Sequence, residues 1–320
     1  MKKIAIITSG GDAPGMNAAI AAVTKEALES GLEVVGSIRG YNGLLNKEVI
    51  PLDLKSVSGI SKRGGTFLYT ARSKEYNTPE GVKKAADNCR ELGIDGCVVI
   101  GGDGSYRGAR DLSEAGIPCV CIPGTIDNDI TSTDYTIGYD TAMNTAMEII
   151  DRVGDTSCSH DRCMIVEVMG RHAGHLALNV GIAVGATAIV VPEVELDMQR
   201  DVLDKIIAAK KAGKTYFLVV VAEGVGHVDE IAKVIEEKTG VEARANVMGH
   251  CQRGGNPTLR DRVLASRLGY HAVELLKKDI GNRVVGISND KVVDYSISEG
   301  LAMKKSLDLE LYEIAKQISE

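Results

Sequence analysis

The chain alternates short apolar runs with longer stretches in which apolar residues recur at helical spacing. "KKIAIIT" (2–8) is followed by the glycine-rich "SGGDAPG" and then by the helical pattern "MNAAIAAVTKEALES" (16–30). The same scheme of strand, turn and helix recurs in "GCVVIGGDGSYRGARDLSEA", "RCMIVEVMGRHAGHLALNVGIA" and "YFLVVVAEGVGHVDEIAKVIEE". Runs of four to six apolar residues bounded by glycine read as strands buried on both faces, hence as parallel sheet. Strands alternating with amphipathic helices predict an α/β fold, doubly wound in three layers, with mainly parallel sheets. No Pro/Ser-rich linker or break in composition divides the chain, so composition alone marks no domain border.

In such sheets ligands bind at the carboxyl ends of the strands. Five polar or glycine-rich stretches ("TSGGD", "GGDGS", "PGTIDND", "EVMGRHAG" and "VVAEGVG") each directly follow an apolar run. That many on one expected edge exceeds what turn chemistry requires.

Composition narrows the class. With 44% hydrophobic and 25% charged residues the 320-residue chain is an ordinary soluble globular one, in one large α/β domain or two smaller ones. Its 36 glycines, without a repeat, fit many tight strand-to-helix turns. A formal net charge of −7 argues against nucleic-acid and anionic-membrane surfaces, so an anionic ligand must meet local basic groups. The opening "MKKIAIITSGG" is too short an apolar run for a signal peptide or a membrane span. Seven dispersed cysteines without C-x-x-C fit a reducing cytoplasm, with Cys119 and Cys121 read as small buried hydrophobes.

The loops carry candidate chemistry. In "TSGGDAPGMN" glycines and a helix start can cradle an anion, but Met16 and Asn17 stand where a P-loop has Lys and Ser/Thr. Gly101, Gly102 and Gly104 surround Asp103, and one carboxylate there suits a mainly hydrated Mg²⁺ shared with phosphate oxygens. A glycine turn with an N-capping aspartate is the alternative reading of the tetrapeptide. In "PGTIDNDI", extended backbone would turn Thr125, Asp127 and Asp129 one way, with Ile126 and Ile130 anchoring the other side. Two carboxylates so close resist ionising unless positive charge lies nearby; alone, an acidic turn would also explain them. Phosphoryl transfer to an alcohol needs a carboxylate at the hydroxyl, metal at the phosphates and cations for the equatorial oxygens. Arg72, Arg162, Arg171, Arg244 and Arg253 lie in fitting loops, and several guanidinium forks suit a phosphorylated substrate besides a nucleotide.

Together "TSGGDAPGMNAAI", "RGGTFLYTAR", "GGDGSYRGA", "PGTIDNDI", "IGYDTAMNTA", "EVMGRHAGHLAL" and "GHCQRGGNPTLRDRVLASRLG" resemble the ATP-dependent 6-phosphofructokinases of bacterial type, over residues 6 to about 270. The resemblance implies Mg-dependent transfer from ATP to the 1-hydroxyl of fructose 6-phosphate, in a cytoplasmic homotetramer with shared active sites. It implies a larger ATP domain (1–138 plus 252–303) and a smaller sugar-phosphate domain (139–251 plus 304–320). Carried over residue by residue, Gly11, Tyr41, Arg72, Ser73, Gly102, Asp103, Gly104, Ser105 and Gly108 would bind ATP, with Asp103 on Mg²⁺. Thr125, Asp127, Met169, Gly170, Arg171, Glu223, His250 and Arg253 would gather fructose 6-phosphate, and Arg162 and Arg244 would come from a neighbouring subunit. Asp127 would take the proton of the 1-hydroxyl and Arg171 would steady the transferring group, with Thr125, Asp129 and Arg72 in support.

Two departures matter. Pyrophosphate-dependent relatives carry aspartate and lysine where this chain has Gly104 and Gly124, so ATP is the expected donor over pyrophosphate. A sugar-phosphate-binding regulator without catalysis should lack Asp103 or Asp127, and both are present. At the effector site, Ala21, Leu54, Gly154 and Ala212 stand where regulated members have arginine, Thr187 replaces an acidic residue, and Lys25 and Lys214 remain. An ADP/phosphoenolpyruvate site is therefore expected to be dismantled.

Overall fold

The computed structural model describes residues 1–319, which pack into two compact units. The first comprises Met1–Ile126, Ile130–Thr141 and Arg253–Lys305; the second comprises Asp127–Asp129, Ala142–Gln252 and the residues from Ser306 on. The expected borders, 1–138 plus 252–303 for the larger domain, differ slightly: by their contacts 127–129 and Gln252 group with the second unit, and 139–141 and 304–305 with the first.

The strands are β1 (Lys3–Ser9), β2 (Glu33–Ser37), β3 (Val49–Pro51), β4 (Gly96–Gly101), β5 (Cys119–Pro123), β6 (Cys163–Val168), β7 (Ala188–Val190), β8 (Phe217–Ala222), β9 (Ala243–Val247), β10 (Arg283–Ser288) and β11 (Lys291–Ser296). The helices are α1 (Met16–Glu29), α2 (Tyr41–Asn46), α3 (Pro79–Glu91), α4 (Asp103–Glu114), α5 (Tyr139–Ser159), α6 (His175–Ala183), α7 (Asp204–Lys211), α8 (Val228–Thr239), α9 (Leu259–Lys277), α10 (Ile297–Ala302) and α11 (Leu309–Ile318).

The first unit holds a seven-stranded sheet in the order β11-β10-β5-β4-β1-β2-β3. It is parallel except at its margins, where β3 and β11 run antiparallel to their neighbours. The chain leaves β1 toward β2 but later places β4 on the opposite side, so the connections diverge between β1 and β4. The central strands are dry on both faces: Ile4 to Ile7, Cys97 to Ile100 and Cys119 to Ile122 are all fully buried. One face packs against Tyr41 of α2, Ala85 and Cys89 of α3, Tyr106 and Leu112 of α4, and Ile297 of α10. Full burial of one such aliphatic side chain is worth about 1.5–3 kcal/mol, which is why these runs carry no polar residue. Cys119 and Cys121 lie in this layer as free thiols, and burial pushes the Cys121 thiol well up. Helices α1 and α9 pack on each other through small residues; a Cβ on Gly269 would stand 2.8 Å from Ala22 Cβ.

The second unit holds a wholly parallel four-stranded sheet, β7-β8-β6-β9. Its core joins Cys163 and Ile165 of β6 with Val219 and Val221 of β8, Ile206 of α7, and Ile231 and Ile235 of α8. The chain leaves β6 toward β7 and β8 and returns across β6 to β9, so the connections diverge at the β6/β9 pair. The parallel, glycine-punctuated strands thus follow the hydrophobic pattern of the chain. No helix among the described residues is long and apolar enough to cross a membrane.

Candidate active site

All five loops singled out by the sequence leave the carboxyl ends of strands: "TSGGD" β1, "GGDGS" β4, "PGTIDND" β5, "EVMGRHAG" β6 and "VVAEGVG" β8. The first three belong to the first sheet and the last two to the second.

In the first unit, the β1 and β4 loops flank the point where the connections diverge. Gly11 is exposed and lies against Arg253, whose Nη1 would stand 2.8 Å from a Cβ there; the same nitrogen donates to Asp12 O at 3.3 Å. Arg253 is thereby brought beside the loop assigned to the nucleotide. The segment carrying Arg72 and Ser73 is seated on the β1 loop through Thr70 Oγ1, which donates to Gly10 O at 2.7 Å. Ser73 Oγ accepts from Tyr76 N, and Arg72 is exposed. Asn17, which stands where a P-loop would have Ser or Thr, is structural: its amide donates to Arg63 O and Gly64 O and accepts from Phe67 N–H, pinning the "RGGTF" loop.

The β4 loop opens α4. Asp103 is its first residue, following the N-cap Gly102. Ser105 is buried and donates through Oγ to Ser9 O at 2.9 Å, tying this loop to the end of β1. A Cβ at Gly104, the residue after Asp103, would meet no atom within 4 Å. Tyr41, expected to contact nucleotide, lies beneath the loop: it is only 5% exposed, stacks on Tyr76 and donates to Ser105 O at 2.6 Å. Gly108 makes room for its ring, since a Cβ there would lie 2.9 Å from it. Burial raises the Tyr41 phenol well above its ordinary range and keeps it a neutral donor.

After β5, Thr125 is buried and held by backbone, its N–H donating to Ile137 O at 3.1 Å and its carbonyl accepting from Thr136 Oγ1 at 2.7 Å. Ile126 and Ile130 are buried anchors as expected. The extended run predicted for 125–129 is not present: the chain bends at Ile126–Asp127, and Asn128 takes a left-handed φ of 52°. Period-two alternation therefore does not govern Asp127 and Asp129. Asn tolerates this backbone where most residues do not. Asp127 is 6% exposed and Asp129 half-buried.

In the second unit the β6 loop turns through Gly170 (φ 140°) and Arg171 (φ 58°). Ala173 N–H closes this turn onto Gly170 O at 2.9 Å, and a Cβ on Gly170 would stand 2.5 Å from the carbonyl oxygen of Ala173, so only glycine fits. Arg171 N–H donates to Glu223 Oε2 at 2.9 Å, and Glu223 N–H to Val168 O at 2.8 Å, which brings Met169, Gly170, Arg171 and Glu223 together. His250 follows β9 and is exposed. Glu167, on β6 below this loop, has its carboxyl pushed up by burial and by the nearby Glu223 and Asp229.

Arg162 and Arg244 stand elsewhere. Arg162 precedes β6 while Met169 follows it, and six residues at about 3.3 Å each separate them by ~20 Å. Arg244 pairs in register with Met164 near that same amino end. Glu242 holds both guanidiniums, at 3.0 Å from Arg162 Nε and through its other oxygen from Arg244, and this keeps its carboxyl below the usual range. Within this chain the two arginines are thus far from the loop that carries Met169, Gly170 and Arg171.

Among the described residues no cluster of three or more His, Cys, Asp or Glu side chains forms a metal-binding group. A single carboxylate in the first turn of a helix, as at Asp103, fits a cation whose remaining ligands are water and phosphate.

A family model described as phosphofructokinase matches residues 3–276. An ATP-dependent 6-phosphofructokinase of Clostridium tetani is 54% identical over 319 residues, covering 100% of both chains. Among solved structures, phosphofructokinase from Saccharomyces cerevisiae matches with a TM-score of 0.90 and 33% identity over 100% of this chain and 48% of that one, so this chain spans about half its length. A pyrophosphate-dependent phosphofructokinase from Marinobacter aquaeolei matches with a TM-score of 0.86 at 22% identity, over 97% of this chain and 86% of that one, a likeness of fold.

Proposed function

The chain belongs to the phosphofructokinase family, and from that premise we propose how its residues carry phosphoryl transfer from ATP to the 1-hydroxyl of fructose 6-phosphate. The activity itself is that of the ATP-dependent 6-phosphofructokinases to which the chain is 54% identical over its full length. The observation that supports the residue assignment best is that five of the motif loops leave the carboxyl ends of parallel strands.

Loops of the first unit bind ATP: Gly11, Gly102 and Gly104 offer backbone N–H groups, Ser105 fixes their loop to the end of β1 through its Oγ, and Arg72 and Ser73 line the phosphates. Tyr41 and Gly108 shape the β4 loop from below. Asp103 would hold a Mg²⁺ that, when bound, offsets charge on the phosphates. Loops of the second unit bind the sugar phosphate through Met169, Gly170, Arg171, Glu223 and His250, and Arg253 adds a guanidinium. Asp127 accepts the proton of the 1-hydroxyl as that oxygen bonds to the γ-phosphorus and the bond to the ADP oxygen breaks. Arg171 draws the equatorial oxygens, while Thr125 and Asp129 support the reacting groups.

The ~20 Å between the two ends of β6 supports a shared site, in which Arg162 and Arg244 serve a neighbouring subunit of a homotetramer. The enzyme works in the cytoplasm. The test is complementation. Asp127→Ser and Arg162→Ala subunits, each nearly inactive toward fructose 6-phosphate, are mixed, dissociated and reassembled. Sites that pair an intact Asp127 with an intact partner Arg162 should regain a measurable fraction of wild-type rate. No recovery in verified mixed assemblies would refute the shared site.

A further inference from the structure

Gln252 lies inside "GHCQRGG" and neither composition nor resemblance gave it a task, yet it is fully buried with both ends of its amide engaged. Its Oε1 accepts from Met169 N–H at 3.2 Å, and its Nε2 donates to Gly249 O at 3.2 Å. Met169 is the first residue after β6, and Gly249 lies just beyond β9. These are the two strands between which the connections of this sheet diverge. One side chain therefore joins the two loops that carry Met169, Gly170 and Arg171 on one hand and His250 on the other.

The β6 loop needs such a hold. Directly after Met169 the backbone turns through two positive-φ residues, and the second, Arg171, is not glycine. A non-glycine residue persists in that region only when its surroundings over-determine it. Two side chains supply the constraint from either side: Gln252 fixes Met169 N–H and Glu223 Oε2 fixes Arg171 N–H. A third tie, Met248 N–H to Glu167 O at 3.1 Å, holds the β9 end against β6 by backbone alone. The sheet is thus already joined there without Gln252. What the glutamine adds is the placement of Met169 relative to Gly249, one residue before His250.

We propose that Gln252 is a positioning residue for the sugar-phosphate site, fixing the Met169–Arg171 loop against the His250 loop through its amide. The proposal rests on the reading that these loops bind fructose 6-phosphate. The experiment uses the full-length enzyme with three variants, each assayed for saturation by fructose 6-phosphate and by ATP and for thermal midpoint. Gln252→Glu keeps the acceptor for Met169 N–H but turns the donor into a carboxylate facing Gly249 O. Gln252→Asn shortens the reach so that both bonds cannot form together. Arg171→Ala is the control for the site itself.

Losing one buried amide contact and leaving its partner unpaired should raise half-saturation for fructose 6-phosphate about tenfold. Half-saturation for ATP should stay within about twofold, because the loops held by Gln252 carry no nucleotide-binding residue. A role in folding alone would instead lower the amplitude or the thermal midpoint and leave both half-saturations unchanged. If Gln252→Glu does not fold, Gln252→Asn decides; failure of both to fold would mean that the residue serves the fold, and the proposal would be wrong. Unchanged fructose 6-phosphate saturation in folded variants overturns it, as does an equal rise for both substrates. If Arg171→Ala also leaves that saturation unchanged, the location of the sugar site has failed rather than the role of Gln252.

Discussion

Asp261, in the first turn of α9, accepts a 2.8 Å hydrogen bond from the backbone N–H of Thr141, in the first turn of α5. The same carboxylate accepts from Gly138 N–H at 2.9 Å and from Thr141 Oγ1. Thr258, which caps α9, donates to Asp140 through Oγ1 at 2.7 Å and to Thr141 Oγ1 through its own N–H at 3.0 Å. The starts of two helices far apart in sequence satisfy one another's orphan groups.

This network carries a pH dependence. Asp261 is fully buried, and desolvation raises its carboxyl above the ordinary aspartate range, more than the bonds from Thr141 and Gly138 lower it. With the folded value above the unfolded one, its contribution to stability is complete below the ordinary value near about 4 and is lost as pH rises through the raised value. Asp261→Asn cannot ionise. The thermal midpoint of the native enzyme should therefore fall relative to this variant as pH increases across that window. Parallel curves would contradict a raised carboxyl.

Asp127→Ser removes the proposed proton acceptor while leaving a small polar group in a buried position. Loss of a general base lowers rate by roughly 10² to 10⁴. Steady-state kinetics should show that fall in kcat with little change in half-saturation for fructose 6-phosphate. A variant keeping more than about a third of kcat would exclude the role, since even a weak general base contributes more.

The donor sites behave differently from each other. A side chain at Gly104 meets open space, so Gly104→Asp should fold and place a carboxylate near the nucleotide phosphates. At an effective dielectric of about 20, like charges 4 Å apart repel by ~4 kcal/mol, and a third of that already costs about tenfold in kcat/KM for ATP. At Gly124 a Cβ would stand 3.1 Å from both Ile100 Cγ2 and Met16 Cε, so Gly124→Lys should also lower stability, by about 1–3 kcal/mol. The unaltered enzyme should prefer ATP strongly; equal turnover with pyrophosphate would reverse the donor assignment.

Regulation by phosphoenolpyruvate should be weak. Leu54 is exposed, Ala21 is buried, and Gly154 lines a cavity of about 370 Å³ with Asp151, Asp155 and Lys214, where carboxylates outnumber the ammonium. Each missing charge-assisted bond to an anion forfeits roughly 1.5–3 kcal/mol, and a ligand that barely binds cannot shift an equilibrium. Millimolar phosphoenolpyruvate should leave the fructose 6-phosphate saturation curve nearly unmoved, with ADP acting as a competing product. A several-fold, sigmoidal shift would mean that Lys25, Lys55, Lys211 and Lys214 rebuild a site.

The sequence by itself determined the parallel sheets and the position of the motif loops. Unbroken apolar runs such as Cys97–Ile100 can be buried only with helices on both faces, and that burial puts each following glycine-rich stretch at a carboxyl edge. It also determined which carboxylates and guanidiniums to examine. Tertiary structure alone decided the rest, because those outcomes depend on partners far away in the chain. Tyr41 lies under its loop because Tyr76 and Gly108 make a slot for its ring. The alternation expected at Asp127 gives way to a left-handed Asn128 between buried Ile126 and Ile130. Gln252 and Asp261 read as an ordinary polar residue and a helix-start acid until the fold brings Met169 and Thr141 to them. Local periodicity records which face of an element avoids water; it does not record which distant backbone group a buried polar side chain will satisfy.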